Sequence, residues 1–143
     1  MQTILTEKLR NYLVENNPDI LVSLQNSLSV SAYLEDKVAL VMPLAEQLLA
    51  ESKPQYIIEE TCLNELTGDL RPSKFLYIKA ILEEDFLQTY SRFREIGVLT
   101  YEIINLIEAC KGLFEAIGFT EENQDNRALR YAVMGTIQEY LEA

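Results

Sequence analysis

The sequence predicts an all-α protein: a single compact domain over residues 1–143, with about six helices packed antiparallel as in a helical bundle. Three observations lead to this prediction. Leu, Ile and Ala recur every three or four residues along the chain, as on the buried face of an amphipathic helix. Only five glycines and four prolines interrupt this pattern. The 143 residues contain no internal repeat and no long linker, which is typical of one domain.

The first helix is predicted over residues 3–15. Its apolar positions are Leu5, Leu9, Tyr12 and Leu13. Pro18 ends it, because a residue that precedes proline is disfavoured in the helical conformation. A second helix is expected to begin at Pro18, since proline is tolerated in a first helical turn.

The segment that follows is less regular. The helix from Pro18 would have Ile20, Leu24 and Leu28 on one face. Over residues 27–32, polar and apolar residues alternate, with Leu28 and Val30 on one side, as in a strand. Because an isolated strand would have no partner, we interpret this segment as a junction. The pattern leaves open whether residues 19–34 form one helix or a broken one.

The third helix is predicted from about Ser31, and Pro43 inside it predicts a kink or a break. Its predicted inner face contains Tyr33, Leu34, Val38, Val41, Leu44, Ala45 and Leu48. The fourth helix is expected to have Ser52 as its N-cap and to stop at Gly68.

The second half of the chain is predicted to form three helices. One long helix runs from Ser73 to Gly97, with apolar positions Phe75, Ile78, Leu82, Phe86, Tyr90 and Phe93. The next is expected to be capped by Thr100 and to end at Gly118 in a left-handed conformation. After a polar loop, Asp125 or Asn126 starts the last helix, whose inner face contains Leu129, Ala132, Val133, Thr136, Ile137, Tyr140 and Leu141.

Gly135 lies in the middle of that last inner face. A glycine inside a helix costs about 1 kcal/mol relative to alanine. We therefore predict that another helix crosses closely at this position.

The composition excludes several kinds of chemistry. The chain has no histidine and no tryptophan. Catalytic triads and zinc-protease motifs need histidine, and the sequence contains neither a phosphate-loop pattern nor a dinucleotide-binding pattern. We therefore expect no cofactor, and a non-enzymatic function is favoured.

The formal net charge is −11, from 23 acidic and 12 basic residues. This charge repels nucleic acids and anionic membranes and attracts basic protein surfaces. No stretch approaches the roughly 20 apolar residues of a membrane span, and the N-terminus lacks the basic and apolar blocks of a signal peptide. We therefore expect no nucleic-acid or membrane partner and a cytoplasmic location.

The two cysteines, Cys62 and Cys110, lie far apart within apolar helical patterns. They are interpreted as reduced, buried apolar residues, because no Cys-x-x-Cys spacing supports a redox pair. Tyr12, Tyr33, Tyr90 and Tyr140 fall on apolar stripes, so their rings are expected in the core with the hydroxyls at its edge.

The candidate metal ligands are two acidic clusters, Glu83-Glu84-Asp85 and Glu59-Glu60. Facing carboxylates can hold Mg²⁺ or Mn²⁺. Adjacent residues on a helix, however, diverge by about 100°, so three consecutive acids cannot face one point. We favour a solvated acidic surface over a metal site.

Four segments resemble a small helical Bacteroidetes family, domain-of-unknown-function family eighteen ninety-six. They are LRNYLVENNP at 9–18, EETCLNEL at 59–66, SKF at 73–75 and ILEEDF at 81–86. The similarity covers about residues 9–86 and implies an all-α fold. It implies no catalytic residues.

Within that similarity, Ser73, Lys74 and Phe75 have two interpretations. Ser73 can start a helix that Phe75 anchors in the core, which we favour, or the three residues can contact a partner.

The sequence as a whole favours a protein-interaction or regulatory domain, whose partner is another protein or a second copy in a homodimer. The alternatives are a carboxylate-based metal binder or small enzyme, and an acidic mimic that binds a basic partner.

Overall fold

The structure is a computed structural model that describes residues 1–27 and 29–143. Over those residues it contains nine α-helices, one 3₁₀ turn and no strand. The helices are α1 (Gln2–Asn16), α2 (Pro18–Ser27), α3 (Val30–Ala50), α4 (Gln55–Leu66), α5 (Lys74–Asp85), α6 (Leu87–Glu95), α7 (Leu99–Ala109), α8 (Lys111–Ile117) and α9 (Arg127–Glu142), and the 3₁₀ turn is Gly68–Leu70. The all-α prediction is confirmed, whereas the expected number of helices was too low.

The chain divides into two compact units, Met1–Leu70 and Arg71–Ala143. In the first unit, α1 packs against α2, α3 and α4, and α3 packs against α2 and α4. The buried core of this unit consists of Leu5, Leu9, Leu13, Leu34, Val38, Val41, Ala45, Ile58, Cys62, Leu66 and Leu70. The predicted inner faces of the first and third helices are therefore confirmed.

The second unit buries a separate apolar cluster. Its central helix α7 packs against α5, α6, α8 and α9. The buried residues are Phe75, Ile78, Ile81, Leu82, Ile103, Leu106, Cys110, Phe114, Leu129, Val133 and Ile137. Because each unit has a core of its own, the single domain over residues 1–143 stays a prediction.

Residues 19–34 belong to two helices. Helix α2 ends at Ser27, and Ser29 is the extended N-cap of α3, where its Oγ accepts a hydrogen bond from the Ala32 N–H at 3.4 Å. The expected position of Leu28 on a helical face lies outside the described residues.

Of the kink or break predicted at Pro43, the break does not occur, since α3 continues through this residue, and the kink stays a prediction. Proline removes the hydrogen bond to the carbonyl four residues earlier, which belongs to Ala39. Both residues are exposed, so water can hydrate that carbonyl and the helix is maintained.

Two caps predicted from the sequence are wrong. Ser52 has a φ of 60° and lies in a turn, so Pro54 is the N-cap of α4. Thr100 lies inside α7, and Val98 precedes that helix without a side-chain cap. The stop at Gly68 is also displaced, because α4 ends at Leu66 and Gly68 begins the 3₁₀ turn.

Two helices predicted as continuous are each broken, which adds two helices to the expected number, and the separation of α2 from α3 adds another. The segment from Ser73 to Gly97 is interrupted at Phe86, with φ −136° and ψ 48°. Three carboxylates precede Phe86 at the C-terminal end of α5, where the helix dipole disfavours negative charge. The segment after Thr100 is interrupted at Cys110, between α7 and α8.

Other local predictions agree with the structure. The Ser73 hydroxyl caps α5 by accepting from the Leu76 N–H, and the Asn126 side chain caps α9, each at 3.0 Å. Gly97 and Gly118 end α6 and α8 with φ values of 78° and 89°. The predicted close crossing at Gly135 is wrong, because an added Cβ would meet no described atom within 4 Å outside its own helix.

Candidate interaction surface

One side of α3 packs on the first core, and the opposite side is exposed along the whole helix. Helix α3 has eleven exposed residues, and Ser31 and Leu49 lie to one side of the stripe formed by the others. We define the α3 outer face by the remaining nine: Ala32, Glu35, Asp36, Ala39, Leu40, Pro43, Glu46, Gln47 and Ala50. Their three- and four-residue spacings place them on one stripe of the helix. From residue 32 to residue 50 the stripe is about 27 Å long.

The α3 outer face combines apolar and acidic residues. Five of its nine residues are apolar and three are acidic, and none is basic. Leu40 is 81% exposed, the largest fraction among the exposed large apolar side chains of the described residues.

A groove adjoins Leu40 between α3 and α4. It is lined by Lys37, Leu40, Val41, Glu65 and Leu66 and encloses about 170 Å³. Val41 and Leu66 also belong to the buried core, so the groove extends the apolar interior to the surface. Glu65 adds a carboxylate at this groove.

The only cation at the groove is already paired. Lys37 Nζ lies 3.0 and 2.9 Å from the two carboxylate oxygens of Asp69. Burial raises the pKa of the neighbouring Tyr33, and Asp69 raises it further while Lys37 opposes the shift. By contrast, Glu35, Asp36 and Glu46 form no ion pair with any described residue.

The acidic clusters that the sequence offered as metal ligands are largely engaged with cations of the chain. Glu59 lies 3.3 Å from Lys8 Nζ, while Glu60 is exposed. Among the residues that the structure describes, no group of three or more His, Cys, Asp or Glu side chains is placed to hold a metal ion.

Glu84 and Asp85 converge on Arg130 of α9, at 2.8 and 2.6 Å from one guanidinium nitrogen, whereas Glu83 is exposed. The guanidinium occupies the position between the two carboxylates. Sequence reasoning missed this contact because Arg130 is remote along the chain.

The segment Ser73-Lys74-Phe75 begins α5. Ser73 caps the helix, and Phe75 is only 7% exposed in the second core. Lys74 Nζ lies 5.2 Å from the centre of the Phe114 ring, a cation–π distance. These positions agree with the structural interpretation, and contact with a partner through Lys74 stays a prediction.

Both cysteines are buried and carry free thiols, as predicted. Burial raises the pKa of Cys62, and it raises the pKa of Cys110 to about 11. The thiols are therefore protonated, and they act as small apolar core residues.

The four tyrosines predicted at the edge of a core are all partly buried. In one of them, the Tyr140 hydroxyl donates to Glu102 Oε2 at 2.6 Å and accepts from Asn105 Nδ2 at 3.4 Å. The hydrogen bond to Glu102 is the main cause of the raised pKa of Tyr140.

Comparisons with protein-family models, with curated proteins and with solved structures gave no match to this chain. No described helix combines the length and the apolar character that a membrane crossing requires.

Proposed function

We propose that this chain is a non-enzymatic protein-interaction domain and that the α3 outer face is its docking surface. The observation that carries the proposal is the exposure of Leu40 at the centre of an apolar stripe on a 21-residue helix. Covering a fully exposed leucine side chain stabilises a complex by about 1.5–3 kcal/mol.

Continuity distinguishes this stripe from ordinary exposed apolar residues, which occur singly on most proteins. In the second unit, Leu76, Leu87, Ile96, Tyr101, Ile117 and Tyr131 are exposed. Each of the helices α5 to α9 contributes at most one of these residues, and Ile96 follows α6. On the α3 outer face Leu40 is likewise the one exposed large apolar side chain. Ala32, Ala39, Pro43 and Ala50 continue the apolar surface around it along a single helix, which is suited to recognition of another helix.

Affinity capture from the native cell tests the proposal. The wild-type chain, Leu40→Ser and the matched control Leu87→Ser are each used as bait, and the retained proteins are quantified by mass spectrometry. Leu87 is also exposed, at 59%, but lies on α6. We expect one protein that wild type and Leu87→Ser retain and Leu40→Ser loses. Equal retention by all three would contradict the proposal.

A second candidate function is self-association. The exposed apolar residues of the second unit can be buried between two copies of the chain in a homodimer. Sedimentation of the purified chain over a range of concentrations tests it. A monomer at high micromolar concentration would exclude the homodimer, and a dimer that Leu40→Ser leaves intact would place its interface away from α3.

The alternative of a carboxylate-based metal binder has less support, since Arg130 occupies the space between Glu84 and Asp85. Calorimetric titration with Mg²⁺, Mn²⁺ and Ca²⁺ distinguishes it. A stoichiometric site that disappears in Glu84→Gln would favour metal binding over the interaction domain.

A further inference from the structure

The charge of the α3 outer face defines the chemistry of its partner. Lys37 is the only basic residue between Arg10 and Lys53, and it is paired with Asp69. Glu35, Asp36 and Glu46 therefore act together along the stripe, and Glu65 adds a fourth carboxylate at the groove. A partner that places Lys or Arg opposite these carboxylates gains attraction, and an acidic partner is repelled.

A second copy of this chain does not satisfy that charge pattern through the same surface. A two-fold symmetric contact brings a surface against itself. Three carboxylates of one copy would then approach three of the other, with no lysine or arginine on either stripe. The occupant that fits is a different, basic protein.

The shape of the surface indicates which secondary structure the partner presents. The described residues contain no strand, so no sheet edge is open to an added strand. Apolar positions recur on the stripe at helical spacing, so the side chains of a second helix can pack between them. The groove of about 170 Å³ beside Leu40 is similar in size to cavities of about 150 Å³ that hold a benzene ring, so it accepts one apolar side chain.

We infer that the α3 outer face binds a basic amphipathic helix of a partner protein. One apolar side chain of that helix enters the groove against Leu40, Val41 and Leu66. Its Lys and Arg side chains flank the apolar stripe and face the carboxylates of α3. This inference rests on the proposed function, because it specifies the partner of the same surface.

A pair of designed peptides tests the inference with the full chain. The first is a fluorescein-labelled 18-residue helix with Leu at the core-facing heptad positions and Lys elsewhere, and the second replaces every Lys by Glu. Fluorescence anisotropy measures both affinities at low salt and near 0.15 M salt. We expect the Leu–Lys peptide to bind more weakly as salt rises and the Leu–Glu peptide not to bind.

Variants separate a specific site from general attraction to an acidic protein. Leu40→Ser should weaken binding of the Leu–Lys peptide by about tenfold, while Leu87→Ser leaves it unchanged. The triple change Glu35→Gln, Asp36→Asn and Glu46→Gln should weaken binding by about tenfold or more. A control with the same change in net charge, Glu115→Gln, Glu121→Gln and Glu139→Gln, should weaken it less than threefold. Circular dichroism verifies that each variant is folded, and all substituted positions are exposed.

Equal losses in the two triple variants, or tight binding of the Leu–Glu peptide, would overturn the inference. The proposed function is tested separately by the affinity capture. It is contradicted when Leu40→Ser retains every protein that wild type retains. A captured protein that depends on Leu40 but docks through an acidic or non-helical segment would overturn the inference and leave the proposed function intact.

Discussion

The two units of the chain are nearly equal in length but use their charged residues differently. Residues 1–70 contain four basic and eleven acidic residues, a net charge of −7, whereas residues 71–143 contain eight basic and twelve acidic residues, a net charge of −4. In the second unit, Arg130 binds Glu84 and Asp85, and Lys74 lies over the Phe114 ring. In the first unit, Lys8 pairs with Glu59 and Lys37 with Asp69, whereas the three carboxylates of the α3 outer face form no ion pair with any described residue.

This difference in charge supports the proposed docking surface on α3. Charges that stabilise the fold are matched within the chain, as they are around Arg130. Among the described residues, each unit pairs two of its carboxylates with a base of the chain, and the proposed docking surface rests on the unpaired carboxylates that lie beside the exposed apolar residues of α3.

The largest effect is expected from changes in the two cores. Leu9→Ala in the first core and Leu106→Ala in the second each remove a completely buried side chain. Each should lower the free energy of unfolding by about 2–5 kcal/mol. Because the cores are separate, hydrogen exchange measured by mass spectrometry should accelerate mainly in the unit that carries the change. Equal acceleration along the whole chain would instead support one cooperative domain.

The next effect is an alkaline loss of stability that arises in the second core. The pKa of Cys110 is about 11 in the folded chain against an ordinary value of 9.0. The thiol of the unfolded chain loses its proton at a lower pH than the buried thiol does. The contribution of Cys110 to the free energy of unfolding is therefore fully present below about pH 9 and decreases by about 2–3 kcal/mol as the pH rises to about 11. Urea unfolding at pH 8 and pH 11 should show a smaller loss in Cys110→Ala than in wild type. The same loss in both would contradict the prediction.

A smaller effect is expected at the ion pairs. Arg130→Ala removes a partly exposed cation from two carboxylates at the end of α5 and should lower stability by about 1 kcal/mol. Lys8→Ala removes a single and longer contact, at 3.3 Å to Glu59, so its cost should be smaller. Thermal unfolding at low and high salt measures both. A greater loss of stability in Lys8→Ala than in Arg130→Ala would contradict this prediction.

The smallest effect on stability is expected at the proposed docking surface. Leu40 is exposed, so Leu40→Ser should change the free energy of unfolding by no more than about 0.5 kcal/mol. Urea unfolding of the purified variant measures this change. A loss above 2 kcal/mol would mean that Leu40 supports the fold, and the reduced binding of the variant could no longer be assigned to a lost contact.

Local signals in the sequence predicted much of the helical structure. Pro18 separates α1 from α2, and Ser73 and Asn126 cap their helices, because each of these residues acts on its own neighbours. The breaks at Phe86 and Cys110 have no proline or glycine at the break itself, so apolar periodicity continues through them. At Phe86 the three carboxylates that end α5 oppose the helix dipole, an electrostatic signal that apolar periodicity does not contain.

The candidate site was only partly predictable. The sequence identified the inner face of α3, but Leu40 falls outside that stripe, and the scarcity of bases between Arg10 and Lys53 was a usable signal of the outer surface. The contact of Arg130 with Glu84 spans 46 residues and could not be read from local spacing.

Site-specific photocrosslinking in the native cell tests the central claim most directly. A benzophenone amino acid replaces Leu40 in one variant and Leu87 in the other, and the adducts are identified by mass spectrometry. The account predicts an adduct from position 40 to a basic helical segment of one other protein, and none from position 87. Equal adducts from both positions, or no adduct from position 40, would contradict it.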